Sequence, residues 1–386
     1  MSEMALTASA RFRSLFAVIV AMGVTSAIYS LSLPLFAARL DEMGHSEFVI
    51  GVNSAAQAIS VVLIAPAGPW LLRRWGPAIL MLWMLALTFA FVVLCPLYDN
   101  AWYWLVLRLL LGGSTGLLWI AGEAWINEAS DDTTRGRILA LYGISGAAGT
   151  MAGFAIVYLT GHGGWLPFII IEALIVAGCL AVAAAVKVAP PFHGTASHTM
   201  LGLAFRAPTP MIINLLVAIT FGSLASFLPV YGPDVGLPRD SVFLLLALLS
   251  AGGLLQYPIG WLADRINRRL LAVIVMAVMA VLFALMPAAL ADPLLRWPYV
   301  VMLGGGMMGL YTLGLTLLGA RFRGVDLGAS TTVFQVMWNT GMVVGPFAVG
   351  FTMDVAGAGA FPWTMVGFYA AVILFIAARG RRGAGT

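Results

Sequence analysis

Charge is scarce in this chain. Of its 386 residues only 9% are Asp, Glu, Lys or Arg, against 61% that are hydrophobic. A soluble domain carries about 25% charged residues, so a water-exposed globule is excluded and a membrane protein is implied. Cysteine is nearly absent. Cys95 and Cys179 both lie inside apolar runs and read as small buried hydrophobes, not as a redox pair. The four histidines, His45, His162, His193 and His198, all fall in expected loops, where solvated imidazoles are the default. There is no Gly-x-Ser-x-Gly, no His-Glu-x-x-His and no Walker-type glycine loop. No catalytic residue, metal ligand or cofactor is therefore expected, and the chain does not read as an enzyme. Without a nucleotide site, energy has to come from an ion or solute gradient. No cleavable signal pattern is present: Met1–Ala10 is polar, and the first apolar run is too long for a signal core.

Apolar runs fill what remains. Phe16–Leu35 and Leu270–Leu290 are long and continuous, which indicates helices rather than the alternating strips of a barrel. Twelve runs are long enough to span, at about 14–38, 48–72, 77–98, 102–127, 138–160, 165–187, 209–230, 241–263, 270–290, 298–320, 328–352 and 362–379. The longest polar break, Val188–Ala207, contains Pro190, Pro191, His193, Gly194, Ser197 and His198, a linker composition. It divides the chain into an N-terminal half (1–187), a central cytoplasmic linker (188–207) and a C-terminal half (208–386), each half with six spans.

Basic residues segregate on this map. Both termini and alternate loops hold 16 of the 20, and the opposite side holds Arg39, Arg239 and Arg296. Arg108 alone is left inside a span. The positive-inside bias makes the rich side cytoplasmic and places both termini there. The basic pI is thus a matter of topology, and no nucleic-acid partner is expected. The halves also repeat. Pro69-x-x-x-Arg73-Arg74-x-Gly76 occupies the place in the first half that Gly260-x-x-x-Asp264-Arg265-x-Asn267 occupies in the second. Arg135-Gly136 likewise matches Arg323-Gly324.

The strip Gly260-Trp-Leu-Ala-Asp264-Arg265-Ile-Asn-Arg268-Arg269, between two membrane runs, resembles the loop signature of the major facilitator superfamily of transporters. The resemblance covers nearly the whole chain. It implies an all-α integral membrane fold of twelve helices in two six-helix bundles, with a solute site between them near the midplane. It also implies that Gly260, Asp264, Arg265 and Arg268 latch the cytoplasmic helix ends, Gly260 by letting helices approach closely. In the first-half copy Pro69 replaces the glycine and Arg73 the acid, leaving Arg74 and Gly76. An acid for that latch would come from Glu123, Glu128 or Asp131.

Arg108-Leu-Leu-Leu-Gly112-Gly-Ser-Thr-Gly116 resembles the family's second motif. There the arginine is linked to proton coupling or substrate anchoring, and an arginine inside a span is costly enough to read as functional. The alternative is that Arg108 snorkels to the outer interface. Gly112 and Gly116 form a small-x-x-x-small face. Two acids lie clearly inside spans, Glu123 and Glu172. Desolvation suits either to carrying protons; for Glu123 the latch is the competing role, and a Glu172–Arg108 pair is conceivable. Glu123-x-Trp125-x-Asn127 followed by Arg135-Gly-Arg137 resembles a poorly characterised bacterial branch near drug and sugar exporters. Span 5 carries Gly143, Gly146, Gly149 and Gly153 and reads as a close-packing helix; the family's drug–proton antiporters show a Gly-Pro motif there, and this span lacks the proline. Span 11 carries Gly341, Gly345, Pro346 and Gly350; it too reads as a close-packing helix, one that the proline can kink.

Polar residues inside spans outline a cavity: Tyr29, Asn53, Gln57, Asn214, Gln256, Tyr257, Tyr311, Gln335, Trp338 and Asn339. Amides orient a solute and aromatics cover it; interhelical hydrogen bonding is the plainer role. The whole implies a secondary transporter in a bacterial inner membrane, working as a monomer by alternating access. Its partners are a small solute, protons and the lipid bilayer. Export of a small amphipathic or sugar-like compound is the leading expectation and uptake by symport or uniport the alternative. A non-transporting sensor or assembly factor on the same scaffold is the alternative of another class.

Overall fold

The structure is a computed structural model that describes residues 8–130, 135–192, 206–322 and 325–383. Asp131, His193, His198, Arg323 and Gly324, singled out above, lie outside the described residues. Among the described residues every regular element is helical. The first half holds α1 (Ala8–Glu42), α2 (Glu47–Ile64), α3 (Gly68–Leu94), α4 (Ala101–Ala129), α5 (Arg135–Thr160) and α6 (Leu166–Ala185). The second holds α7 (Pro208–Asp234), α8 (Arg239–Gly252), α9 (Gln256–Ala263), α10 (Arg268–Ala284), α11 (Met286–Ala291), α12 (Arg296–Arg321), α13 (Val325–Ala356) and α14 (Ala360–Gly383).

These helices trace the twelve expected passes. Nine stretches among the described residues are, by length and composition, able to cross a membrane, one of them long enough at 51 residues to cross twice. Several passes are broken in ways that periodicity does not announce. A 3-10 turn at Ala65–Ala67, carrying Pro66, joins α2 to α3. A second, Gly253–Leu255, splits one pass into α8 and α9. A third break falls at Leu285, just before Pro287, whose missing N–H cannot continue the helix. The turn between passes two and three is compressed into Gly76, whose φ of 72° only glycine adopts without strain, followed by Pro77. Pro346 lies within α13, which runs through it unbroken from Val325 to Ala356.

Glycine faces set the helix crossings, and the two halves use them alike. In the first half a Cβ at Gly112 of α4 would strike the carbonyl of Gln57 in α2, and Gly116 lies against Val61. In the second, Gly304 of α12 sits on the carbonyl of Leu249 in α8. Gly149 and Gly153 of α5 sit on the carbonyls of Gly23 and Ala27 in α1. Gly341 and Gly345 of α13 sit on those of Leu215 and Ile219 in α7. Close backbone approach is how membrane helices gain packing energy where lipid offers no hydrophobic contrast. Pass 4 thus seats on pass 2, and pass 5 on pass 1, in the same way that 10 seats on 8 and 11 on 7.

By packing, the chain forms two compact units: Met1–Leu35 with Ala56–Ala196, and Phe36–Ala55 with Ser197–Thr386. The end of α1, its following turn and the start of α2 therefore fold with the second unit, although they precede the linker by well over a hundred residues.

Candidate functional site

In the first unit a polar core surrounds Arg108. The side chain is fully buried and does not reach the interface, so it does not snorkel. Its Nη1 donates to the carbonyl of Ser32 in α1 at 3.0 Å. The Ser32 hydroxyl lies 3.1 Å from Gln57 Oε1 and 3.0 Å from the Tyr29 carbonyl. Gln57 is itself fully buried, and its Nε2 has no acceptor among the described residues. Glu172 is half-buried in α6, and the conceivable pairing with Arg108 is not seen among the described residues. Glu123 is half-buried late in α4, and Glu128 is exposed.

In the second unit an amide and aromatic cluster forms between α7, α12 and α13. Asn214 is fully buried and its Nδ2 donates to the Phe334 carbonyl at 2.5 Å, leaving Oδ1 without a donor among the described residues. The Tyr311 ring packs 5.6 Å from Phe334 and 5.8 Å from Trp338, nearly perpendicular to the indole. Phe221 closes the other side of Trp338 at 6.1 Å. Asn339 Nδ2 donates to the Gln335 carbonyl at 2.9 Å, and both side chains are half-buried. Asn214, Tyr311 and Trp338, three of the expected residues, are thus brought together around Phe334, while Gln335 and Asn339 bond to one another within α13. Gln256 and Tyr257 do not join them. Gln256 is exposed and accepts from Thr312 at 2.9 Å, while Tyr257 is 78% exposed. Asn53 is buried, but the division between the units cuts α2 after Ala55. Asn53 therefore counts with the second unit and Gln57, one turn on, with the first.

The signature hairpin is largely self-contained. Asp264 pairs with Arg268 one turn ahead at 3.3 Å, and both side chains are solvated. Arg265 stacks on Trp261 with its guanidinium carbon 3.5 Å from the ring centre. Asn267 caps α10 by accepting from the N–H groups of Arg269 and Leu270. The close approach expected at Gly260 is not present. A Cβ there would meet only Thr312 Cγ2 at 3.8 Å, an ordinary contact, because the two helices are already apart at that level. Arg73 and Arg74 are exposed beside Gly76.

One constellation escaped the sequence. Arg239, at the start of α8, holds Asp41 and Glu42 from the end of α1. The Arg239–Asp41 pair is 198 residues apart in the chain, so no spacing rule reaches it. The only signal was Arg239 itself, one of three basic residues outside the cation-rich side.

Helices of this length and apolarity, with buried polar clusters in each unit, define a polytopic α-helical membrane protein. The family model of the Major Facilitator Superfamily matches residues 14–323, and the chain belongs to that family. It is 25% identical over 358 residues, 88% of each chain, to the uncharacterised MFS-type transporter YfkF of Bacillus subtilis. It is 26% identical over 250 residues, 64% of each chain, to the uncharacterised MFS-type transporter YcaD of Escherichia coli. Among solved structures it is similar to the nucleoside transporter NupG (TM-score 0.75, 14% identity, 95% of this chain and 98% of that one). A bacterial homologue of the human lysosomal transporter Spinster, inward-facing and unoccupied, gives a TM-score of 0.74 at 12% identity over 97% and 96% of the two chains. The fold is that of a twelve-helix facilitator, and the family's work is secondary transport of small solutes across a membrane. These likenesses point to a transporter rather than an enzyme.

Proposed function

We propose that this protein exports a small amphipathic or sugar-like compound in exchange for protons, by alternating access of two six-helix bundles, 1–187 and 208–386, joined by the linker 188–207. The reading places the protein as a monomer in a bacterial inner membrane with both termini in the cytoplasm. The observation that carries it is the amide and aromatic cluster of the second unit. Asn214 bonds the Phe334 backbone with its Oδ1 left over, the Tyr311 ring meets those of Phe334 and Trp338, and Gln335 and Asn339 lie on the same helix as Trp338. Flat rings with adjacent amides suit a solute that has one apolar face and a few hydroxyl or amine groups. Nothing in the cluster is charged, which favours a neutral solute or one whose charge is met elsewhere. Arg108, Glu123 and Glu172 are the ionisable groups assigned to coupling. Arg74, Gly76, Asp264, Arg265 and Arg268 are assigned to the cytoplasmic latch, and the solvated Asp264–Arg268 pair is the form expected when that latch is disengaged.

The test begins with thermal stability of the purified protein against metabolites and drugs, since a true ligand stabilises the state it binds. A compound that raises Tm in the wild type and not in Trp338→Ala supports the cluster as its site. That compound is then loaded into liposomes bearing the protein, and proton movement is followed as it leaves. Protons entering as the compound exits support exchange; protons leaving with it indicate symport and overturn the export reading. Coupling that survives Glu123→Gln combined with Glu172→Gln removes those acids from the mechanism.

A further inference from the structure

Many hydroxyls on these membrane helices bond to their own backbone one turn back. Thr25, Ser26, Thr115, Thr150, Thr220 and Ser250 each donate to the carbonyl four residues earlier. That carbonyl is the nearest partner for a helical hydroxyl away from water. Ser223 and Ser226 of α7 do otherwise. Both side chains are fully buried, and neither Oγ has a hydrogen-bond partner among the described residues. A buried hydroxyl left in that state is costly, so the pair calls for an explanation.

Pro346 creates the complementary defect. It has no N–H, so the carbonyl of Met342, one turn before it in α13, loses its helical donor. The proline Cδ stands where that hydrogen would point, and so marks the side of α13 on which the carbonyl is left open. That side faces α7. A Cβ on Gly222 would fall 3.3 Å from Pro346 Cδ and 3.2 Å from Met342 Sδ. A Cβ on Gly345 would fall 2.8 Å from Ser223 Oγ, so the Ser223 hydroxyl lies over the same stretch of α13. Ser226 follows one turn further along α7, on the face between Gly222 and Ser223. Helical side chains lean toward the N-terminus, which brings its hydroxyl back toward their level. All of these residues belong to the second unit.

We propose that Ser223 and Ser226 hold a buried water that donates to the Met342 carbonyl and so repairs the gap that Pro346 leaves in α13. A membrane helix keeps an internal proline where neighbouring hydroxyls or ordered water satisfy the freed carbonyl. One carbonyl and two hydroxyls supply the set of about three partners that a buried water takes. None of them is charged, which suits a neutral water and not a cation that would have to shed its hydration here. With the water in place α13 stays straight across Pro346; without it the helix can bend there. The bend point lies about two turns beyond Trp338, so bending turns that indole against Tyr311. In this last respect the inference rests on reading the aromatic cluster as the solute site.

The test exposes the full-length protein in nanodiscs to brief X-ray pulses in water enriched in heavy oxygen. The Met342 side chain is 1% exposed, so radicals from bulk solvent do not reach it. A water bound beside it is split in place and oxidises the thioether. Met342 is expected to take up the label in the wild type. It is expected to lose the label when Ser223→Ala, Ser226→Ala and Pro346→Ala together remove all three partners. Thermal unfolding gives an independent reading. Ser223→Ala with Ser226→Ala is expected to lower Tm when Pro346 is present and to leave it unchanged in the Pro346→Ala background, where the restored N–H meets the carbonyl. Serines that matter only for packing would cost the same in both backgrounds, and that result overturns the proposal. So does a wild-type Met342 that stays unlabelled. A Tm that rises in sodium chloride over choline chloride, and only while the serines are present, would mean a bound sodium ion and overturns the water. Neither measurement needs a solute. A protein that moves nothing in liposomes would refute the transport reading and leave the water standing.

Discussion

Single residues show most clearly how far a membrane sequence can be read. Arg108, Asn214, Tyr311 and Trp338 stand out because a polar group in an apolar run is expensive and has to be explained. The structure finds each of them in a buried cluster or at its edge. Gln256 and Tyr257 had the same signal and lie exposed, because a helix that is apolar all round does not reveal which face turns inward. Asp41 and Arg239 sit at helix ends, where charge is unremarkable, and their meeting was invisible before the fold. Arg108 has a stability consequence that is separate from any coupling. Arg108→Ala deletes a charged donor from a buried carbonyl and opens a void, and should cost about 1–3 kcal/mol. Arg108→Lys should recover part of that, since an ammonium can reach the Ser32 carbonyl but lacks the second arm. Thermal unfolding in detergent checks both, and a wild-type Tm in Arg108→Ala would show that the contact carries no weight.

Helices and their crossings were legible to a different degree. The twelve passes follow from length and hydropathy, because a bilayer leaves the backbone few other ways to satisfy its hydrogen bonds. The glycine spacings in passes 4, 5 and 11 announced close packing, and Gly112, Gly149, Gly153, Gly341 and Gly345 all meet backbone. What spacing did not tell is which neighbour each glycine meets, nor that Gly260 meets nothing closely. These two cases give opposite expectations. Gly112→Val should drive α4 from α2, lower stability by about 1–3 kcal/mol and disturb Gln57 and Arg108 with it. Gly260→Ala should leave stability unchanged, since the added methyl falls at 3.8 Å from Thr312. Expression level and Tm of the two variants side by side decide the matter. Equal losses in both would mean that the closeness of the facing helix does not decide the cost.

For the molecule as a whole, the repeat seen in the paired basic motifs returns as a repeat of helix seating, with 4 on 2 and 5 on 1 matched by 10 on 8 and 11 on 7. The expected division at residues 188–207 rests on linker composition, the count of six spans on each side and the paired basic motifs. Composition carries no sign that Phe36–Ala55 packs with the second unit, because the contacts that bind it there are ion pairs and bare backbone. The most direct measurement of alternating access is a pair of distances in the same protein. One is read between labels at Ser46→Cys and Gly359→Cys, the other between labels at Trp75→Cys and Ile266→Cys, beside the two basic hairpins. The account predicts that whenever a ligand or a change of pH lengthens the first distance it shortens the second. Two distances that stay fixed, or that lengthen together, would contradict it.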